Sequence, residues 1–276
     1  MIIMNGKELS FKIKDKLREK VSLFSRKPGL VVIQVGNDEA SKVYVKNKEK
    51  TALEIGLEFK HLHFDDIEEN DLINEINNLN NDSNVDGIIV QLPLPNHINE
   101  NNIINSINPN KDVDGLTNYN IAKLINNDNS LIPCTPLGVM KLLEHYNISL
   151  SGKNVVIVGR SRLVGKPLSM LMLNNNATVT ICHSKTTNLS DFTTKADILV
   201  VAVGKSSIIG SKMVKRGAVV IDVGINRVNN KLCGDVDYIK VSKKASYITP
   251  VPGGVGPMTV IMLMSNVISS YEKKMI

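Results

Sequence analysis

The sequence predicts an α/β protein of two domains, each built on a parallel sheet, with a C-terminal helix that returns to the first domain. Three observations carry this. Strand-like and helix-like apolar patterns alternate through the first third of the chain, as in βαβ units. Further on, the apolar run Val155-Val156-Ile157-Val158 passes through Gly159 into a turn and a helix start at Gly165-Lys166-Pro167. Between these regions Pro133-Cys134-Thr135-Pro136 reads as a joint, with Thr135 a helix cap and Pro136 a first helical residue. The expected division is 1–137 plus 258–276 for one domain and 138–257 for the other.

Composition narrows the class. A chain of 276 residues, 42% hydrophobic and 22% charged, is long enough for two cores. No apolar run approaches the roughly 20 residues of a membrane span. The opening Met1-Ile2-Ile3-Met4-Asn5-Gly6-Lys7 lacks a signal peptide's charged start and apolar stretch. Cys134, Cys182 and Cys233 form an odd set without metal-ligand spacing, which points to a reducing, cytoplasmic setting. The net charge of +6 would suit nucleic acid, yet there is no basic block, aromatics are 4% and Trp is absent. Positive potential for small anions is the better reading, and neither nucleic acid nor membrane is an expected partner.

In chain order, a strand at 30–36 leads to a helix at 40–55 closed by Gly56, a strand at 57–64, a helix at 68–79 and a strand at 87–91. The asparagine-dense pieces 74–84 and 126–129 carry no readable chemistry. In the helix at 40–55, a turn of about 100° per residue groups Ala40, Tyr44, Lys48, Thr51, Ala52 and Ile55 on one face. That puts Lys48 on the inward stripe, with Tyr44 one turn before it and about 5–6 Å away at Cβ. A lysine drawn partly out of water can work as an acid or base near neutrality. One that snorkels to solvent is the bland alternative.

Ligands of α/β proteins bind at the carboxyl ends of strands, which singles out two further stretches. In Val90-Gln91-Leu92-Pro93-Leu94-Pro95 a buried strand delivers a lone amide into a proline turn. Pro109-Asn110-Lys111-Asp112-Val113-Asp114-Gly115 is an acidic loop in which Asp112 could serve only to cap a turn. No His or third carboxylate lies at ligand spacing there, so no metal is expected.

The central segment holds a nucleotide signal. Gly159-x-Ser161-x-x-x-Gly165 between strand and helix allows a tight turn against a pyrophosphate, although serine replaces one glycine of the usual fingerprint and the gap is one residue longer. After the next strand, 177–181, stand Cys182-His183-Ser184-Lys185, where an Asp or Glu would hold a free ribose 2′-hydroxyl. With Arg160 in the turn and no acid present, a 2′-phosphate fits better, so the expected cofactor is NADP and the domain Rossmann-like. Strands at 197–203 and 218–223 follow, ending in Gly204 and Gly224-Ile225-Asn226, with Asp222 accepting backbone N–H groups. Residues 249–259, Thr-Pro-Val-Pro-Gly-Gly-Val-Gly-Pro-Met-Thr, are too rich in glycine and proline for regular structure and read as a clamping loop before the last helix.

Taken in order, Tyr44-Val-Lys-Asn-Lys48, Val90-Gln-Leu-Pro-Leu-Pro95, Asp112-Val-Asp-Gly115, Pro133-Cys-Thr-Pro136, Gly159-Arg-Ser161 with Val164-Gly-Lys-Pro167, Cys182-His-Ser-Lys-Thr186 and Pro250-Val-Pro-Gly-Gly-Val-Gly-Pro-Met-Thr259 resemble the bifunctional methylenetetrahydrofolate dehydrogenase/cyclohydrolase family over almost the whole chain. Ala122 departs from the family's usual glycine. The resemblance implies oxidation of 5,10-methylenetetrahydrofolate with NADP, hydrolysis of the methenyl product to 10-formyltetrahydrofolate, and a homodimer paired through the cofactor domain. It implies Lys48 as the key catalytic group, Tyr44 stacked on folate, Gln91 bonded to Lys48, and Asp114 holding the pterin's N–H donors. Val90 and Leu92 would flank the substrate, and Pro252, Gly253, Gly254, Val255 and Gly256 would close over it. Gly159, Arg160, Ser161, Ser184 and Ile225 would hold the cofactor. A short-chain dehydrogenase also uses a Tyr-x-x-x-Lys pair, but there the pair follows the nucleotide glycines, whereas Tyr44 and Lys48 precede them.

Overall fold

The computed structural model describes residues 1–229 and 231–275; Ile276 and the side chain of Ala40, both included in the expectations above, lie outside the described set. The chain begins β1 (Ile2–Ile3), α1 (Gly6–Ser22), β2 (Gly29–Val35), α2 (Glu39–Ile55), β3 (Glu58–Phe64), α3 (Glu69–Asn81), β4 (Gly87–Val90), α4 (Glu100–Ser106), α5 (Asn118–Ile125) and α6 (Cys134–His145). It continues β5 (Asn154–Val158), α7 (Gly165–Asn174), β6 (Thr178–Cys182), α8 (Leu189–Thr193), β7 (Ile198–Val201), β8 (Val219–Asp222), β9 (Asn226–Val228), β10 (Lys231–Cys233), α9 (Tyr238–Val241), β11 (Tyr247–Ile248) and α10 (Val255–Met275). Two compact units result, Met1–Phe11 with Thr135–Thr259 and Lys12–Cys134 with Val260–Ile276.

The unit containing Thr135–Thr259 is organised by a six-stranded sheet in the order β1-β11-β8-β7-β5-β6, every pair parallel. β7 and β8 are buried throughout and β5 from its second residue, which is why these strands are unbroken apolar runs. Numbered from β5, the order is second, first, third, fourth, fifth, a doubly wound sheet that reverses direction between β5 and β7. Its core includes Val156, Val158, Leu199, Val201 and Val220. β9 and β10 form a separate antiparallel hairpin.

Two buried aspartates tie the turns at the carboxyl end of this sheet. Asp222 accepts N–H bonds from Gly224 (3.1 Å), Asp235 (3.0 Å) and Val236 (2.9 Å), as expected of it. Asp235 accepts from the N–H groups of Val203 (2.7 Å), Gly204 (3.0 Å) and Lys205 (2.8 Å), and from Asn226 Nδ2 (2.9 Å). Burial pushes the Asp222 carboxyl from 3.8 up to about 6, against the opposing pull of its three donors. A folded-state value above the unfolded one means that this group favours folding fully below about pH 4 and loses that contribution as the pH rises through 6. Carboxyl-detected NMR should find a titration midpoint near 6 for Asp222; a midpoint at or below 4 would contradict the burial argument.

The other unit holds a three-stranded parallel sheet, β3-β2-β4. Central β2 is buried at all seven positions, while edge β3 alternates towards solvent. Val31, Ile33, Leu72, Ile76, Ile88 and Ile103 pack the core. α2 starts at an Asp38 cap that accepts the Ser41 N–H, and it ends at Gly56 with φ 96°, the closing glycine expected from sequence. Ala122 lies inside regular α5, where alanine is the better helix former. Asp112, buried in the loop after α4, accepts from the N–H groups of Leu116 and Thr117 and from Asn120 Nδ2, so it organises that loop.

Three local expectations are corrected. The buried stripe of α2 is Ser41, Val45, Ala52 and Ile55; Val45 is 2% exposed and Tyr44 45% exposed, because the inward face is centred one residue later than the expected stripe. α10 begins at Val255, so Val255-Gly256-Pro257 is helix rather than loop. Proline is compatible with a first turn, whose N–H groups have no intrahelical partner. α6 begins at Cys134, which puts Thr135 and Pro136 inside its first turn. Among the described residues, no helix is long and apolar enough to cross a membrane.

Candidate active site

In the small-sheet unit the side chains of Lys48 and Gln91 meet. α2 presents Lys48 half-buried at the edge of its apolar stripe, and β4 delivers Gln91 one residue past its end, where the Gln91 N–H still bonds to Ile33 O at 2.8 Å. Lys48 Nζ donates to Gln91 Oε1 at 2.9 Å, while Gln91 Nε2 donates to its neighbour's carbonyl, Leu92 O, at 2.7 Å. The second bond fixes the amide so that its oxygen, the only atom able to accept from an ammonium, faces the lysine. Val90 is buried at the end of β4, and Leu92, part-buried, precedes Pro93 across a cis peptide bond. Tyr44 projects from the same helix one turn before Lys48 and is exposed, a disposition suited to stacking on a flat ligand.

Asp114, part-buried, completes this cluster through Cys134. The buried Cys134 thiol donates to Val113 O at 3.3 Å. Its titration is pushed well up, first by burial and then by the Asp114 carboxylate, with Lys48 pulling the other way, so both charged groups lie within reach of it. The thiol therefore stays protonated and serves as a donor rather than a nucleophile.

In the large-sheet unit the cofactor candidates gather at the carboxyl end of the sheet, where the strand order reverses. Gly159 follows β5 with φ 129°, and a Cβ there would run into the Ala202 carbonyl, just past β7. Gly165 opens α7 with its Cα against the Gly159 carbonyl, so both glycines are required by close backbone approach. Ser161, which stands for the missing fingerprint glycine, braces the turn: its Oγ accepts the Val164 N–H and its carbonyl the Lys166 N–H, each at 3.1 Å. Arg160 and Ser161 are exposed. Gly159 N–H bonds to Cys182 O at 2.8 Å, which brings the turn after β6 alongside, with exposed Ser184 at its tip. Ile225, 48% exposed, follows β8 and lines a pocket with Gly224, Leu232, Pro250, Pro252 and Pro257. Pro252, Gly253 and Gly254 form the chain reversal before α10, with Val251–Pro252 cis, Gly253 at φ 102° and the Gly253 carbonyl accepting the Lys7 N–H at 2.9 Å. Val255 and Gly256 follow as its first helical residues.

Sequence reasoning passed over Cys134, read only as part of a joint, and Asp235, which has no local motif. Among the described residues no group of three His, Cys, Asp or Glu side chains could hold a metal ion.

A glycine turn at the switch point of a doubly wound sheet, and a lysine–amide–carboxylate cluster on a second α/β unit, define the class: a nucleotide-dependent enzyme with a separate catalytic unit. Residues 4–114 match the tetrahydrofolate dehydrogenase/cyclohydrolase catalytic domain, and residues 133–275 match the NAD(P)-binding domain of the same family. The chain belongs to the tetrahydrofolate dehydrogenase/cyclohydrolase family. It is 52% identical to the bifunctional protein FolD of a Hydrogenobaculum species over 99% of this chain and all of that one. The crystal structure of the bifunctional FolD methylenetetrahydrofolate dehydrogenase/cyclohydrolase from Campylobacter jejuni superposes with a TM-score of 0.98 at 48% identity, covering 99% of both chains. The Trypanosoma brucei enzyme, solved with NADP and an inhibitor, gives a TM-score of 0.96 at 35% identity over 100% of this chain and 98% of that one.

Proposed function

We infer that this protein is a bifunctional enzyme of one-carbon metabolism that oxidises 5,10-methylenetetrahydrofolate to the 5,10-methenyl form with NADP and hydrolyses that product to 10-formyltetrahydrofolate. The observation that carries the reading is the bond from Lys48 to the fixed amide of Gln91, which holds an amine in a defined place on a unit with no other evident use for it.

NADP, when bound, supplies the hydride acceptor. The turn at Gly159–Ser161 suits its pyrophosphate, and Arg160 and Ser184, exposed at the same end of the sheet without an acid between them, suit a 2′-phosphate. Ile225 supplies an apolar surface on the nicotinamide side. Oxidation needs no protein acid or base, because the substrate's own ring nitrogen supplies the electron push; orientation is the main demand. Tyr44 stacks on the folate, Asp114 accepts from the pterin's amino and ring N–H groups, Val90 and Leu92 flank it, and residues 252–256 close over it.

Hydrolysis demands more. Water adds to the methenyl carbon and gives up a proton, and the ring nitrogen that leaves gains one. Lys48 Nζ moves that proton, with Gln91 setting its position. The residue roles and the division into a folate domain (1–137 plus 258–276) and a cofactor domain (138–257) are part of this proposal. So are a homodimer paired through the cofactor domain, supported by exposed Val228 and Leu232 on the β9–β10 hairpin, and a cytoplasmic location, supported by three free cysteines. Sedimentation at a single dimeric mass checks the first, and cell fractionation the second.

The decisive assay gives the purified protein 5,10-methylenetetrahydrofolate with NADP or NAD and follows reduced nicotinamide and 10-formyltetrahydrofolate against an enzyme-free control. Both products above control, with NADP favoured, are expected. Formyl product only at the control rate would remove the hydrolytic role of Lys48, and reduced nicotinamide at the control rate would remove the dehydrogenase.

A further inference from the structure

The geometry points to Asn266, on α10, as a positioning residue for Asp114, and this rests on the proposed folate-binding role of Asp114. Asn266 is 5% exposed, and its Nδ2 donates to two backbone carbonyls, Val113 O at 2.8 Å and Ile132 O at 2.9 Å. An amide NH₂ has two protons, one for each of these oxygens. Without it the part-buried Ile132 carbonyl would lose this donor, and the buried Val113 O would keep, among the described residues, the weak thiol bond from Cys134.

The two carbonyls belong to the segments that carry the site. Val113 immediately precedes Asp114, and Ile132 lies two residues before Cys134. On the other side of Asp114, Gly115 has φ 69°, and a Cβ there would sit 2.7 Å from Ile132 C, Leu131 O and Pro133 N. The two segments are thus in backbone contact after Asp114 and joined through the Asn266 amide before it. The amide contact of 3.7 Å to Cys134 Sγ adds the thiol to the same assembly. Asn266 touches neither Lys48 nor Gln91 among its bonds; its effect on chemistry runs through where Asp114 stands.

A double-mutant cycle tests this, using Asn266→Ala, Asp114→Asn and the pair in the full-length protein. Asn266→Ala should raise KM for methylenetetrahydrofolate about tenfold while KM for NADP stays within about twofold and melting stays cooperative. In the Asp114→Asn background the same change should add little, because the carboxylate it positions is already gone. Independent, multiplying effects, an equal rise in the NADP KM, or an unchanged folate KM in Asn266→Ala would each overturn the inference. A silent Asp114→Asn would instead remove the reading of Asp114 itself, and the inference with it. If the alanine variant melts below assay temperature, Asn266→Ser, which keeps one donor in a smaller volume, is expected to give the same pattern in weaker form; an unchanged folate KM there counts against the role.

Discussion

Lys48→Met should abolish cyclohydrolase turnover, by on the order of 10²–10⁴-fold, while leaving folate binding measurable. Methionine keeps the unbranched stem that packs at the edge of the α2 stripe and removes only the amine. Lys48 is half-buried and bonded to Gln91 alone among its described side-chain partners, so its loss opens no large cavity. Gln91 Oε1 loses its donor at a part-buried position where water can replace it. The oxidation step should fall far less, since its proposed demands are orientation by Tyr44, Asp114 and the cofactor turn. Formation of 10-formyltetrahydrofolate from the methenyl substrate, corrected for the spontaneous rate, measures the first effect, and equilibrium folate binding the second. Full turnover in the variant would end the proposed role for the amine.

The second large effect is expected at Gly159. Alanine there must adopt φ 129°, a region open in practice to glycine, and its Cβ would strike the backbone carbonyl of Ala202, which cannot swing away as a side chain tip could. Strain of about 1–3 kcal/mol is expected from the backbone conformation alone. Relief requires the turns after β5 and β7 to part, and that is where the cofactor's pyrophosphate is proposed to sit. NADP affinity should therefore drop by more than tenfold, with dehydrogenase activity following it. Gly152→Ala is the internal control: φ is 71°, but nothing lies within 4 Å of the added carbon, so a modest loss of stability with normal NADP binding is expected. Titration of NADP by fluorescence separates the two, and equal affinities in both variants would count against the steric argument.

What could be seen in the sequence was what local pattern determines. The buried strands, the Gly56 closure of α2 and the loop-organising role of Asp112 depend on residues within a few positions of one another, whereas Asp222 shows only its Gly224 bond locally and takes its other two donors from Asp235 and Val236. Tyr44 was misplaced because, at about 100° per residue, positions 44 and 45 straddle the edge of the stripe, and only packing decides which turns inward. The start of α10 was hidden by glycine and proline whose first-turn tolerance local composition does not reveal. Asn266 was invisible for a different reason. Its partner Val113 lies 153 residues away, and an asparagine in the apolar segment of a terminal helix carries no periodic signal of which carbonyls it will find.

The Asp235 carboxylate also bears on how this chain can change over time. By binding Asn226 as well as the Val203–Gly204–Lys205 turn, it closes the base of the β9–β10 hairpin and fastens that base to the sheet. The two strands thus leave and rejoin the sheet at a base fixed by one carboxylate. Exposed Val228 is free to drift, and with it a surface proposed to meet another copy, whereas Gly234, where a Cβ would strike the Asp222 carboxylate, and Leu232, which lines the pocket beside Ile225, are held. The proposed self-association and the redox chemistry can in this way change at different rates within a single unit.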